Sequence, residues 1–159
     1  MNDPRETEPP TVGGIEKPCR FVGAAVAVLD DLGRILVVRH TYGPLNWELP
    51  GGMSEPGESV EGTALRELRE ETSLRARVDR LSGVYYKRQN DSHHLVFRCS
   101  VEDDAVPVPS SDEIAECGFF QRSELPRPIS DFTVRRIDDA LAGIAPEAVV
   151  TIERVGWLD

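Results

Sequence analysis

Residues 51–74 run GGMSEPGESVEGTALRELREETSL, and most of what this chain says about its fold and chemistry is concentrated there. Glu55-Pro56-Gly57-Glu58 has proline then glycine at the two central places of a turn, the order favoured for type II. Ser59 suits the N-cap of a helix that should run to about Thr72. Leu65 and Leu68 fall on one side of that helix, so it can bury one edge. Glu67, Glu70 and Glu71 fall elsewhere, three and four residues apart, where Cβ atoms on one face lie roughly 5–6 Å from each other. Three carboxylates so placed repel one another. The arrangement makes sense if a hard divalent cation, which prefers oxygen ligands, neutralises them. The plainer reading is a solvated acidic face with ordinary pairs such as Arg66 with Glu70. The Gly51-Gly52 loop and the spacing to Glu58 weigh against it.

Outward from the helix, the spacing becomes a pattern: Gly52, five residues, Glu58, seven residues, Arg66-Glu67-Leu68, one residue, Glu70-Glu71, two residues, Leu74. This resembles the Nudix box, and the chain is similar to the Nudix hydrolases, which cleave nucleoside diphosphates linked to another group. Ser73 departs from the pattern, standing where the box has glycine. A residue just past a helix is commonly left-handed, and a non-glycine residue there costs about 1–2 kcal/mol. The turn is expected to survive at that cost. The resemblance implies an α+β fold, the Nudix α/β/α sandwich with a central mixed sheet. It implies Mg²⁺ as cofactor, with Mn²⁺ as substitute, held by Glu67, Glu70, Glu71 and the Gly51 carbonyl. It further implies that Glu58 pairs with Arg66 to brace the loop against the helix.

The general base is open. Family members recruit a glutamate from a loop well after the box, and Glu113 is the first choice here, Glu116 the second; a box glutamate, Glu67 or Glu70, is the other option. Arg39, at the end of a strand before the box loop, is placed to reach a phosphate as a bidentate donor. Lys87 and Arg88 are weaker versions of that idea. Tyr86 and Phe132, with Trp47, Tyr85 and Phe120, are candidate stacking partners for a base, although buried core is the commoner fate of such residues.

The length suits one domain with a substantial core, assigned to residues 19–159. Residues 1–18, rich in proline and glycine, are expected to form a mobile polar tail. A net charge of −10 argues against general nucleic-acid binding, because no basic surplus exists to displace counterions. For a small nucleotide substrate the same acidity is tolerable if a metal ion supplies the positive charge. The sequence carries no apolar run of membrane-span length and no signal-peptide pattern, so a cytoplasmic location is expected. Cys19, Cys99 and Cys117 match neither a zinc site nor a disulfide framework and read as small buried residues. His93 and His94, adjacent on a strand, point to opposite faces and read as surface or strand-end residues.

Strands are predicted over Phe21–Leu29 and Arg34–Arg39, joined as a hairpin through Asp30-Asp31-Leu32-Gly33. Others are predicted over Leu81–Arg88, His94–Val101, Ile114–Phe120 and Val149–Val155, with a second helix over Phe132–Leu141. The leading functional expectation is a Mg²⁺-dependent hydrolase of the pyrophosphate link. A catalytically silent, nucleotide-binding sensor is the second reading, and a plain acidic domain the third. The joint presence of Arg66, Glu67, Glu70 and Glu71 favours the enzyme. Substrate class stays open among nucleoside triphosphates, nucleotide sugars, ADP-ribose and dinucleoside polyphosphates. Monomer and homodimer are equally open.

Overall fold

The structure is a computed structural model that describes residues 11–12, 15–16, 20–102 and 104–159. The expectation of a mobile tail over 1–18 lies outside the described residues, apart from two short paired strands, β1 (Thr11–Val12) and β2 (Ile15–Glu16). The remaining elements follow in order: β3 (Phe21–Val28), β4 (Ile35–His40), β5 (Trp47–Glu48), β6 (Gly51–Met53), α1 (Val60–Thr72) and β7 (Ala76–Lys87). After them come β8 (Ser92–Val101), β9 (Ile114–Phe120), β10 (Ile129–Ser130), α2 (Asp131–Ala142), β11 (Val150–Ile152) and β12 (Trp157–Leu158).

Strand β3 explains the architecture. Its apolar run has no polar alternation, which marks a strand covered on both faces. Ala24, Val26 and Val28 pack with Ala64 and Leu68 of α1, while Ala25 and Ala27 pack with Phe132, Ile137 and Ala140 of α2. Strands β4 and β8 divide their side chains in the same way: Leu36, Phe97 and Cys99 on the α1 side, Ile35, Val37 and Val96 on the α2 side. The strands thus lie between the helices, the α+β sandwich expected.

The expected hairpin does not form as a paired unit. Asp30 turns the chain, its Oδ1 accepting from the N–H groups of Leu32 (3.0 Å) and Arg34 (2.8 Å). Beyond the single bridge Leu29–Ile35, however, β3 and β4 enter different sheets. Both edges of β3 are already taken, by β8 in parallel and by β6 antiparallel. Strand β4 therefore pairs with β5 and β9. Among the described residues the result is two five-stranded mixed sheets, β11-β7-β8-β3-β6 and β12-β10-β5-β4-β9, in place of one central sheet.

Helix α1 begins and ends where its sequence indicates. Ser59 Oγ accepts from the N–H of Gly62 at 3.0 Å. Ser73 closes it in the left-handed conformation, φ 62° and ψ 0°, with its N–H donating to Arg69 O at 2.9 Å.

Candidate active site

Three neighbouring pieces build the site: the β6 edge, the turn after it, and one face of α1. Register brings Gly51 and Gly52 opposite Ala25 and Ala24 of β3. A Cβ added to Gly52 would lie 2.3 Å from Glu67 Oε1, so glycine at this position leaves the Glu67 carboxylate room to lie against the strand. At the turn, Gly57 takes φ 82° and Glu58 N–H donates to Glu55 O at 3.1 Å, as a type II turn requires.

Glu58 and Arg66 form the brace that the resemblance implied. Arg66 Nε donates to Glu58 Oε1 (2.8 Å) and Nη2 to Oε2 (3.2 Å), a two-pronged pairing. Thr63 Oγ1 adds a hydrogen bond to Glu58 Oε2 at 2.7 Å. Together, led by the Arg66 hydrogen bond, they pull the Glu58 carboxyl down to about 2. Arg66 Nη2 also reaches Met53 O at 3.3 Å, tying turn, strand and helix into one unit.

The three helix glutamates take different positions. Glu71 turns inward, is 6 % exposed, and its Oε2 accepts from Gly51 N–H at 3.1 Å. Burial first, and the Glu67 charge second, push its carboxyl up to about 8. Burial also raises Glu67, against the opposing pull of Arg66. Glu67 Oε1 accepts from Arg66 Nη1 at 2.9 Å, and Glu70 Oε2 from the same nitrogen at 3.1 Å, with Glu70 half exposed. Among the described residues no three His, Cys, Asp or Glu side chains are arranged to hold a metal ion. The expected convergence of Glu67, Glu70 and Glu71 is therefore not pre-assembled: Glu67 and Glu70 share the Arg66 guanidinium, while Glu71 turns to the Gly51 N–H. The chemistry of the donors nevertheless suits a hard divalent cation. Glu71 is buried without a paired cation among the described residues, next to the half-buried Glu67, and Glu67, Glu48 and Glu113 all add negative potential at it.

The other expected residues separate. Glu113, at the foot of β9, acts electrostatically on Glu67, Glu71 and Tyr42, and its carbonyl accepts from Thr41 N–H at 2.8 Å. Glu116 is held elsewhere, its Oε1 2.7 Å from Arg39 Nη1 across the β4–β9 register. Arg39 is thereby engaged with a carboxylate. Tyr86 donates its hydroxyl to Asp91 Oδ1 at 2.8 Å and packs on His93. Phe132 lies at the cavity described next. Of the cysteines, Cys99 is buried and Cys117 half-buried, both free; Cys19 lies outside the described residues.

A cavity of about 210 Å³ opens behind Gly51 and Gly52. Glu48, Lys87, His94, Phe132, Arg136 and Trp157 line it. Glu48 accepts from Arg136 Nη2, from Thr133 Oγ1 at 2.9 Å and from Leu49 N–H at 2.9 Å. His94 is not a surface residue: it faces this cavity, and burial, followed by the Arg136 and Lys87 charges, pushes it down to about 3. Glu48, Arg136 and Trp157 were missed from the sequence. The one local signal was the Phe132–Arg136 spacing on α2, which places the guanidinium 4.0 Å from the Phe132 ring centroid.

Comparison with known proteins agrees with this geometry. Residues 20–140 match the NUDIX domain. A MutT-like protein of Streptomyces ambofaciens is 34% identical over 92% of this chain and 88% of its own length. A putative 8-oxo-dGTP diphosphatase of Bacillus subtilis is 35% identical over 86% of this chain and 89% of its own. Among solved structures, a NUDIX hydrolase from Nitrosomonas europaea superposes with a TM-score of 0.72 at 19% identity, covering 87% of this chain and 81% of that one. With the box glycine packed on Glu67, the Glu58–Arg66 brace in place and the family match running from β3 into α2, the chain belongs to the NUDIX family and is a Nudix hydrolase.

Proposed function

We propose that this protein is a Mg²⁺-dependent enzyme, active also with Mn²⁺, that hydrolyses the pyrophosphate link of nucleoside diphosphate derivatives. The observation that carries the reading is the buried Glu71 carboxylate, which lies beside Gly51 and the half-buried Glu67 and has no cation paired to it among the described residues. The similarity to a putative 8-oxo-dGTP diphosphatase supports a nucleotide substrate. Residues 19–159 act as one catalytic domain, and the enzyme works in the cytoplasm on small nucleotides.

In this reading Glu67, Glu70, Glu71 and the Gly51 carbonyl hold the ion. When bound, it supplies charge neutralisation at the phosphates and activation of water. Arg66 and Glu58 keep α1 and the loop in register, which holds Glu67 and Glu71 beside Gly51-Gly52. Glu113 serves as general base. Its charge is felt at Glu67 and Glu71, whereas Glu116 is occupied by Arg39, and this favours Glu113 over Glu116. Phe132 walls the cavity that takes the rest of the substrate. Arg39 and Tyr86 contribute less to binding, since their polar ends are committed to Glu116 and Asp91.

The test is a panel of nucleoside diphosphate derivatives incubated with Mg²⁺ or with chelator, comparing wild type, Glu70→Gln and Glu71→Gln. Cleavage by the wild type that needs metal and falls in both variants is expected. Equal activity in all three proteins, or none in any, ends the catalytic assignment. Saturable nucleotide binding without cleavage would instead mark a sensor.

A further inference from the structure

Two side chains of the cavity behind Gly51 and Gly52 have no part in the chemistry above. Lys87, at the end of β7, is half-buried. Its ammonium forms no ion pair or hydrogen bond among the described residues, the Glu48 carboxylate acting on it only at longer range, and it stands 5.4 Å from the Phe132 ring centroid. Arg136 is different, because Glu48 answers its charge. A cation with no direct ionic or hydrogen-bonding partner among the described residues therefore remains in the cavity wall, since Glu48 pairs directly with Arg136.

Trp157 supplies an aromatic surface. It is 47% exposed, whereas Phe132 is only 4% exposed, covered by the Arg136 guanidinium and met edge-on by Tyr85 and His94. The indole is held in place: Trp157 pairs with Ser130, and beside it Gly156 N–H donates to Asp131 Oδ1 (2.9 Å) while Asp131 N–H donates to Gly156 O (3.0 Å). Size limits the occupant. The cavity, about 210 Å³, falls below the roughly 300–1,000 Å³ of pockets that enclose a whole drug-sized ligand. One ring system fits.

We propose that this cavity receives the base of the nucleotide, with Trp157 as its stacking plate and Lys87 donating to a ring carbonyl, so that guanine and uracil are preferred over adenine. The inference rests on the nucleotide-hydrolase reading and deepens it. An ammonium offers three donors and no acceptor. Guanine presents O6 and N7 as adjacent acceptors, whereas adenine sets an amino donor beside its N7. The amino group would meet the ammonium donor to donor and leave both unpaired in a partly desolvated place.

The experiment uses the full chain with chelator present, and titrates GMP, UMP and AMP while following tryptophan emission. Trp47 is buried outside the cavity, which leaves Trp157 as the reporter. Wild type should bind GMP and UMP about tenfold more tightly than AMP, as one charge-assisted hydrogen bond dictates. Lys87→Met should bring GMP and AMP to within about twofold of each other at an unchanged melting temperature. Trp157→Phe should lose the emission change and weaken all three ligands. Equal affinities in wild type, an unaltered ratio in Lys87→Met, a retained emission change in Trp157→Phe, or no saturable binding up to millimolar ligand would each overturn the proposal. Metal-dependent cleavage by an enzyme that does not discriminate between bases sinks this inference alone. Discriminating binding without any cleavage sinks the hydrolase reading and leaves the pocket.

Discussion

Replacing Ser73 with glycine should stabilise this protein and leave its catalysis alone. Ser73 sits at φ 62°, ψ 0°, exposed, with its N–H on Arg69 O at 2.9 Å. Its hydroxyl forms no hydrogen bond among the described residues, so the serine side chain contributes nothing that glycine would lose. Left-handed backbone costs an L-residue about 1–2 kcal/mol. Against that relief stands the greater freedom of glycine in the unfolded chain, worth about 0.4–1 kcal/mol. The net gain is about 0.5–1 kcal/mol, which in a domain of this size raises Tm by about 1–4 °C. Thermal unfolding with chelator present measures it, and kcat on whichever substrate the panel yields measures the rest. Glu70 and Glu71 lie within three residues of the turn, so an unchanged kcat would mean that the cap acts on the helix end alone. A lower Tm, or a kcat altered several-fold, would refute the reasoning and assign the serine a part in shaping the site.

Two further outcomes follow from the buried acids. The folded pKa of Glu71 stands at about 8, above its ordinary 4.5. The Glu71 contribution to metal-free stability should therefore fall as pH rises from about 4.5 to about 8, since the unfolded carboxyl ionises first, by on the order of a few kcal/mol. His94, held down to about 3 against an ordinary 6.5, contributes in the opposite sense up to about pH 6.5. The net fall should appear between about pH 6.5 and 8 and level off above that. Glu71→Gln should flatten this slope and make the metal-free protein more stable at pH 8 while weakening cation binding. Denaturant titrations at several pH values would expose the error if both proteins keep the same slope. Gly52→Ala would force a methyl group to within 2.3 Å of Glu67 Oε1, so Glu67 must leave its place. Metal affinity, read by calorimetry, should drop about tenfold or more, while the far-ultraviolet circular dichroism stays native. Undiminished affinity would show that Glu67 is not a ligand.

The features legible without coordinates were local ones. A capped helix over residues 60–72, the Pro56-Gly57 turn and the αL ending at Ser73 depend on neighbours a few residues apart, and side-chain types at those spacings specify them. The Glu58–Arg66 brace belongs with them, spanning a turn and two helical steps. What the tertiary structure decided lies across long separations. Whether β3 pairs with β4 depends on which edges β6 and β8 have already occupied, and no property of the two apolar runs contains that information. The Glu48–Arg136 contact joins residues 88 positions apart. His94, Lys87 and Trp157 become one wall only when β7, β8 and β12 meet beside α2. Charge is the clearest case: the sequence alone put three glutamates on one helix, but burial and the reach of Arg66 determined which are pushed up and which is left in solvent. Desolvation is a property of the packed molecule, so a chain read residue by residue carries no measure of it.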